Sequence, residues 1–349
     1  MESIISVGLA SYGLSGMAFH APLLTALPCF NLKKILERHH DNSRDRFPQA
    51  EIVRSFDDLI SDPDIELVVV NTPDHTHFEL AQKALLAGKH VVVEKPFTFK
   101  VEDCEELIRL AKEKHKVLSV FQNRRWDGDF LTVKNIVHQQ LLGKLVYFES
   151  NFDRYRNYLK PESWKEQSVY GSGTVYNLGS HLIDQALVLF GMPESVTADI
   201  RNMREGAEVD DYFNIRLGYS AFAVTLKSSY LVRESVPRFV LHGRDGSFIK
   251  YGMDPQEDAM RSGIIPVQPE WGQEKEEYWG LLNTQLNGLH YRGKVETIAG
   301  DYKKYYQNIY QVIRNNEVLE VKPEESLAVI KIIRAAFESS EKQTTVRIS

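Results

Sequence analysis

A chain of 349 residues with 43% hydrophobic and 26% charged residues has the composition of an ordinary globular protein and the length of two domains. Its formal net charge of −6 gives no electrostatic ground for nucleic acid or an anionic membrane as partner, and no apolar run is long enough to span a bilayer. The two cysteines, Cys29 and Cys104, lie far apart with no second cysteine nearby, which argues against a disulfide framework or a cysteine zinc site. Met1–Val7 enters a strand without a basic leader, so a cytoplasmic location is expected.

In chain order, Ile4–Ala10 predicts a buried strand, Ser11–Gly16 a glycine turn and Ala18–Leu27 an apolar helix. Strand, glycine turn and helix together are the setting in which backbone N–H groups hold a pyrophosphate. The dinucleotide pattern G-x-G-x-x-G is met at its second and third positions by Gly13 and Gly16, while Ser11 stands at the first. A second strand, Leu32–Leu36, ends at Glu37-Arg38. Glu37 lies about twenty residues beyond the turn, where a carboxylate bonds the ribose hydroxyls of NAD. Arg38 instead suits the 2′-phosphate of NADP. The pair leaves NAD or NADP open with a slight lean to NAD, and a plain surface charge cluster is the alternative.

Leu67–Val70 predicts a third apolar strand, ending in Asn71-Thr72-Pro73, and the helix Phe78–Ala87 is stopped by Gly88. Then come the valines Val91–Val93, followed by Glu94-Lys95-Pro96. Strand C-terminal ends are where open α/β sheets bind ligands, so Lys95 is placed to hydrogen-bond a substrate oxygen and share its proton. A solvated Glu-Lys pair at a strand end is the plainer alternative. A helix Val101–Lys114 and a strand Val117–Phe121 complete a strand–helix alternation. The fold class expected is α/β, with an N-terminal Rossmann doubly wound parallel sheet over residues 1–122.

From residue 123 the pattern changes. Asn123-Arg124-Arg125-Trp126-Asp127 is a polar and aromatic cluster, and a helix follows over Phe130–Leu142. Segments at Leu145–Phe152, Ser195–Asn202, Tyr212–Tyr219, Phe222–Tyr230 and Arg238–Leu241 alternate apolar and polar residues. They predict a C-terminal α/β domain, 123–349, with a large open, mainly antiparallel sheet. Its flat aromatic face suits a homo-oligomer. A late amphipathic helix is expected over Ser326–Ser339. Within Gly171–Asp184, helical spacing sets Asn177, His181 and Asp184 on one polar stripe of an otherwise apolar helix. A ligand-facing wall is one explanation of that stripe, and a core histidine satisfied by Asp184 or a carbonyl is the other. No second His or Cys stands at metal spacing, so no metal is expected.

Together, Glu94-Lys95-Pro96 after a strand and Gly179-x-His181-x-x-Asp184 on a later helix resemble the Gfo/Idh/MocA family. The glycine turn, Thr72-Pro73 with His77, and Asn123–Asp127 carry the resemblance over nearly the whole chain. Asp153-Arg154-Tyr155-Arg156 and Phe248–Gly252 are similar to the scyllo-inositol dehydrogenases within it. The resemblance implies hydride transfer between a sugar or cyclitol hydroxyl, in an inositol-like polyol, and a nicotinamide. Lys95 would bond the reacting oxygen and the cofactor ribose, and His181 would be the general acid/base. Ser11, Gly13, Gly16, Glu37, Arg38, Asn71, Pro73, His77 and Glu94 would line the dinucleotide. Asn123 and Trp164 would contact nicotinamide or polyol, and Arg154, Arg156 and Asp184 the substrate. Asn177 departs from the pattern, since many relatives carry an aspartate there that relays or orients the proton. Two other functions share the fold: a dinucleotide-binding sugar sensor or regulator without turnover, and an NAD-dependent glycoside hydrolase.

Overall fold

The run Ile5–Leu9 forms a strand (β1) with Val7 and Leu9 fully buried. The structure is a computed structural model describing residues 3–160, 166–167 and 171–348. Five further strands lie in one sheet with β1: Phe30–Leu36 (β2), Glu51–Val53 (β3), Leu67–Val70 (β4), His90–Val93 (β5) and Leu118–Val120 (β6). All pair in parallel in the order β3-β2-β1-β4-β5-β6. Every residue of β4 is buried, as expected of a strand covered on both faces. The strand order reverses direction between β1 and β4, and the crevice at such a reversal takes the ligand.

The helices between strands are Ala21–Thr25 (α1), Phe56–Ile60 (α2), His77–Leu86 (α3) and Val101–Glu113 (α4). Ser55 and Asp58 close a capping box at the start of α2. The segment after the glycine turn differs from the single helix expected over Ala18–Leu27. Gly16–His20 is a π-helical turn, and only Ala21–Thr25 is α-helical. Pro22 explains the join: it has no N–H to donate and sits at the first turn of α1, where none is needed.

This unit comprises Met1–Trp126, Pro255–Trp271 and Asp301–Leu327. It is therefore not contiguous in sequence, as a division at residue 122 has it. The helix Lys303–Asn315 explains the return, because Tyr305, Tyr306, Ile309 and Tyr310 join Leu24, Phe30 and Phe121 in one apolar cluster. Arg124 and Arg125 help to hold these returning segments. Arg124 pairs with Glu257, and Arg125 Nη1 donates to Glu325 Oε2 at 2.7 Å and to the Glu320 carbonyl at 3.0 Å.

The second unit comprises Asp127–Asp254, Gly272–Gly300 and Ala328–Ser349. It begins with the helix Gly128–His138 (α5) and the strand Leu145–Asn151 (β7). A π-helical turn Val175–Gly179 then runs into the helix Ser180–Phe190 (α6). The remaining strands are Ser195–Arg201 (β8), Tyr212–Gly218 (β9), Ala223–Ser229 (β10), Phe239–Gly243 (β11), Gly246–Lys250 (β12), Gly280–Leu286 (β13), Leu289–Val295 (β14) and Val346–Arg347 (β15). Their order is β14-β13-β12-β11-β7-β10-β9-β8-β15, antiparallel except where β7 meets β10. Alternation decides the faces: Phe213, Ile215 and Leu217 of β9, and Val224 and Leu226 of β10, are fully buried. The late helix spans Pro323–Lys342, longer at both ends than expected. No helix among the described residues is long and apolar enough to cross a membrane.

Candidate dinucleotide and catalytic residues

The Ala10 N–H bonds the Val69 carbonyl, so the glycine turn leaves β1 at its border with β4. Ser11 substitutes for the missing first glycine. Its hydroxyl accepts from the Gly13 N–H at 3.1 Å, and its carbonyl accepts from Asn71 Nδ2 at 2.8 Å. Gly16 lies against that same carbonyl, with Asn71 Nδ2 only 2.9 Å from where a Cβ would stand. Gly13 is exposed, and its position is open apart from the Ser11 hydroxyl. The turn thus brings Ser11, Gly13, Gly16 and Asn71 together at the sheet's reversal. Asn71 Oδ1 is buried and has no hydrogen-bond partner among the described residues. A buried amide oxygen left so is costly unless a donor reaches it, and the hydroxyls and amide of a nicotinamide dinucleotide are such donors. These residues fit a dinucleotide.

Glu37 is placed differently from expectation. It is buried, and its carboxylate accepts from Asn42 N (2.9 Å), Ser43 N (2.9 Å) and Ser43 Oγ (2.5 Å). Arg54 braces the same loop, donating to the Glu37 carbonyl at 2.8 Å and the His40 carbonyl at 2.7 Å. The lean to NAD rests on a carboxylate open to ribose hydroxyls, and this one is engaged by its own loop. Arg38 is exposed beside it and makes no hydrogen bond or ion pair among the described residues.

β5 delivers Glu94-Lys95-Pro96 next to the Asn71 loop, and the Lys95–Pro96 peptide bond is cis. Lys95 is half-buried. His77, expected to line the dinucleotide, is fully buried with both ring nitrogens engaged. Nδ1 lies 2.9 Å from the Pro96 carbonyl and Nε2 3.1 Å from the Thr72 carbonyl. It acts as a strut that ties the exposed Pro73 loop to the turn after β5. Asn123 is buried after β6. Sequence reasoning misses one residue here. His20, fully buried, reaches Glu94 Oε1 at 3.0 Å and Tyr306 Oη at 2.7 Å. Its only signal in the sequence is to be the one titratable residue of an otherwise apolar segment.

In the second unit, Asp210 anchors the start of the helix that carries the polar stripe. Its Oδ2 accepts from Val175 N and Thr174 Oγ1, both at 2.8 Å, and burial pushes its carboxyl above the usual carboxylate range. Asn177 lies in the π-helical turn and is half-buried, while His181 and Asp184 are buried in the first turns of α6. Behind α6, Arg238 Nη2 donates to Gln185 Oε1 at 3.0 Å, and its guanidinium lies 4.3 Å from the centre of the Phe239 ring. Arg154 and Arg156 leave one side of an extended segment whose N–H groups bond the Ser229 and Tyr230 carbonyls at 2.9 and 2.7 Å. Their guanidinium groups lie over Phe152 and Tyr230, at 5.1 and 5.2 Å from the ring centres. Trp164 lies outside the described residues.

A strand order with its reversal at a glycine turn is shared by nicotinamide-dependent oxidoreductases, and the chain is of that class. Residues 5–122 match the family profile described as oxidoreductase family, NAD-binding Rossmann fold. Residues 134–348 match that of the same family's C-terminal alpha/beta domain. The chain belongs to the Gfo/Idh/MocA oxidoreductase family. It is 42% identical over 344 residues to the scyllo-inositol 2-dehydrogenase (NADP(+)) of Bacillus subtilis, covering 99% of this chain and 96% of that protein. Among solved structures it resembles an oxidoreductase of Bacteroides fragilis, with 52% identity and a TM-score of 0.93 over 99% of this chain and 100% of the other. An oxidoreductase of Bacillus subtilis is 41% identical with a TM-score of 0.96, over 100% of this chain and 99% of the other.

Proposed function

We propose that the protein is an NADP-dependent dehydrogenase that oxidises a secondary hydroxyl of an inositol-like polyol or sugar, or reduces the corresponding ketone. The observation that carries this is Lys95, delivered half-buried by β5 beside an Asn71 whose amide oxygen awaits a donor. The bound nicotinamide supplies the hydride acceptor. Lys95 donates a hydrogen bond to the reacting oxygen, and His181 takes the hydroxyl proton as the carbon–hydrogen bond breaks. General acid–base help of this kind is worth about 10²–10⁴ in rate. Arg154, Arg156, Asn123 and Asp184 supply polar contacts that hold a ring bearing several hydroxyls. The test is reduced-nicotinamide absorbance with NAD or NADP and a panel of inositols and aldoses. Turnover with one pair supports the proposal. Dinucleotide binding without turnover across the panel would favour a sensor, and release of a chromogenic leaving group only with dinucleotide present would favour a glycoside hydrolase.

The choice of NADP rests on Glu37 being held by Asn42 and Ser43 while Arg38 is exposed beside it. The B. subtilis relative named above also uses NADP(+). Arg38→Ala is expected to raise KM for NADP by about tenfold or more, the cost of one charge-assisted contact, and to leave KM for NAD unchanged. Equal effects on both would remove Arg38 from the 2′-phosphate site. Asn177→Asp adds a group that can accept a proton four residues before His181. It is expected to raise turnover at neutral pH or to move the pH optimum. An unchanged kcat profile would show that residue 177 takes no part in proton transfer. The half-buried face of the second unit's sheet, with Tyr147 stacked on His242, suits a homo-oligomer, which sedimentation would detect.

A further inference from the structure

Beside the proposed catalytic lysine stands a chain of buried polar groups that the reaction itself does not call for. His20 ends the π-helical turn Gly16–His20, and its ring packs against Phe121 with centroids 4.4 Å apart. A π-turn inserts one residue relative to an α-turn, and such insertions re-aim side chains at functional sites. The result here is that the ring bridges two elements, with Nδ1 at 2.7 Å from Tyr306 Oη and Nε2 at 3.0 Å from Glu94 Oε1. The other oxygen of Glu94 accepts the Lys95 backbone N–H at 2.9 Å. With Glu94 ionised, Nε2 carries the hydrogen between them; Tyr306 then donates to Nδ1, its own proton secured because burial holds the phenol well above its ordinary pKa.

We propose that His20 is a positioning residue for Lys95, holding Glu94 as an oriented carboxylate and thereby fixing the strand end from which the lysine projects. The inference rests on Lys95 acting at the reacting oxygen. The groups facing Glu94 are His20 from the π-turn, Lys95 beside it, His77 from α3, and Tyr305 and Tyr306 from the helix Lys303–Asn315. Burial alone would raise the Glu94 carboxyl. The hydrogen bond from His20 and the positive field of Lys95 oppose it, and the acid lies below its ordinary value. A depressed carboxyl stays ionised as pH falls through the usual carboxylate range and is neutralised only below it. Removing His20 leaves burial less opposed, so Glu94 takes up its proton at higher pH.

The experiment is the pH profile of kcat between about pH 3.5 and 9, with dinucleotide Kd from protein fluorescence, for wild type, His20→Ala, His20→Gln and Glu94→Gln. His20→Ala is expected to lower kcat about tenfold or more, to move the acid limb up by about one unit, and to change Kd by less than about threefold. His20→Gln keeps one N–H donor and is expected to restore most of both. In a Glu94→Gln background, His20→Ala should move the acid limb no further. Loss of kcat and thermal midpoint with an unmoved limb, or a Gln variant no better than Ala, would overturn the proposal. Should the wild type turn over no substrate, the dehydrogenase reading fails by itself. The His20 inference is then judged by the infrared band of the protonated Glu94 carboxyl, identified by its absence in Glu94→Gln. That band must appear at higher pH in His20→Ala, and an unchanged titration rejects the inference.

Discussion

Lys95→Ala is expected to lower kcat by about 10³-fold or more while dinucleotide Kd changes by less than about threefold. Each factor of ten in rate is about 1.4 kcal/mol of transition-state stabilisation, so the loss corresponds to about 4 kcal/mol. The separation of rate from binding follows from how the site is built. The proposed dinucleotide cradle consists of Ser11, Gly13, Gly16 and Asn71, whose mutual bonds do not pass through residue 95. The lysine side chain also leaves a strand whose valines are fully buried and whose carbonyl ladder pairs with β4 and β6, so truncating it leaves the strand in place. Steady-state kinetics with the active polyol, beside a fluorescence titration with dinucleotide, measures both quantities. A Lys95→Ala protein with near-normal kcat would remove the lysine from the chemistry. One that has lost binding would show that the lysine serves the cradle instead. Lys100, exposed a few residues later, is the control: its replacement by alanine should change neither.

The first domain is legible because a parallel sheet buries its strands on both faces, so each strand is a short unbroken apolar run that stands out from the helices around it. Pro63 and Pro73 bracket Leu67–Val70, and Gly88 and Pro96 bracket Val91–Val93, so neither run extends into a helix. What the sequence hides is any partner far along the chain. Nothing local in Lys303–Asn315 announces that its tyrosines belong with Phe30 and Phe121, which stand far earlier in the chain. Glu37 shows the same limit at short range. Its spacing from the glycine turn suits a ribose contact, yet the N–H groups of Asn42 and Ser43 are closer and fixed, so they claim the carboxylate. His20 is hidden because one polar residue in an apolar segment carries no period. It is also hidden because the π-turn sets it on a face that 3.6-residue spacing does not indicate. By contrast, the β13–β14 hairpin carries a local signal. Asn287-Gly288, both at positive φ (50° and 84°), is the residue pair that a two-residue hairpin turn prefers, and it lies between two strands that pair along their length.

Gly16→Ala separates the two glycines of the turn and is the most severe test of the cradle. Neither Gly13 nor Gly16 has a positive φ, so backbone conformation does not demand glycine at either position and space alone decides. At Gly16 an added Cβ would press into the Ser11 carbonyl oxygen and stand 2.9 Å from Asn71 Nδ2, both of which belong to the same hydrogen bond. Neither can yield freely. Ser11 is tied through its hydroxyl to Gly13 N, and Asn71 is buried at the end of β4, so one methyl must displace the turn or break the bond. Overpacking of this kind costs about 1–3 kcal/mol of stability. The displaced turn moves the N–H groups proposed to hold the pyrophosphate, and dinucleotide affinity is expected to fall by about 10²-fold, or about 2.7 kcal/mol. At Gly13 the same methyl meets only the Ser11 hydroxyl, at 3.4 Å, in exposed surroundings. Gly13→Ala is therefore expected to fold with an unchanged thermal midpoint, and any loss of affinity it shows comes from the methyl meeting the ligand rather than from a broken turn. Thermal unfolding and dinucleotide titration of the two variants distinguish the cases. Equal midpoints for both would mean that the Ser11–Asn71 contact does not shape the turn.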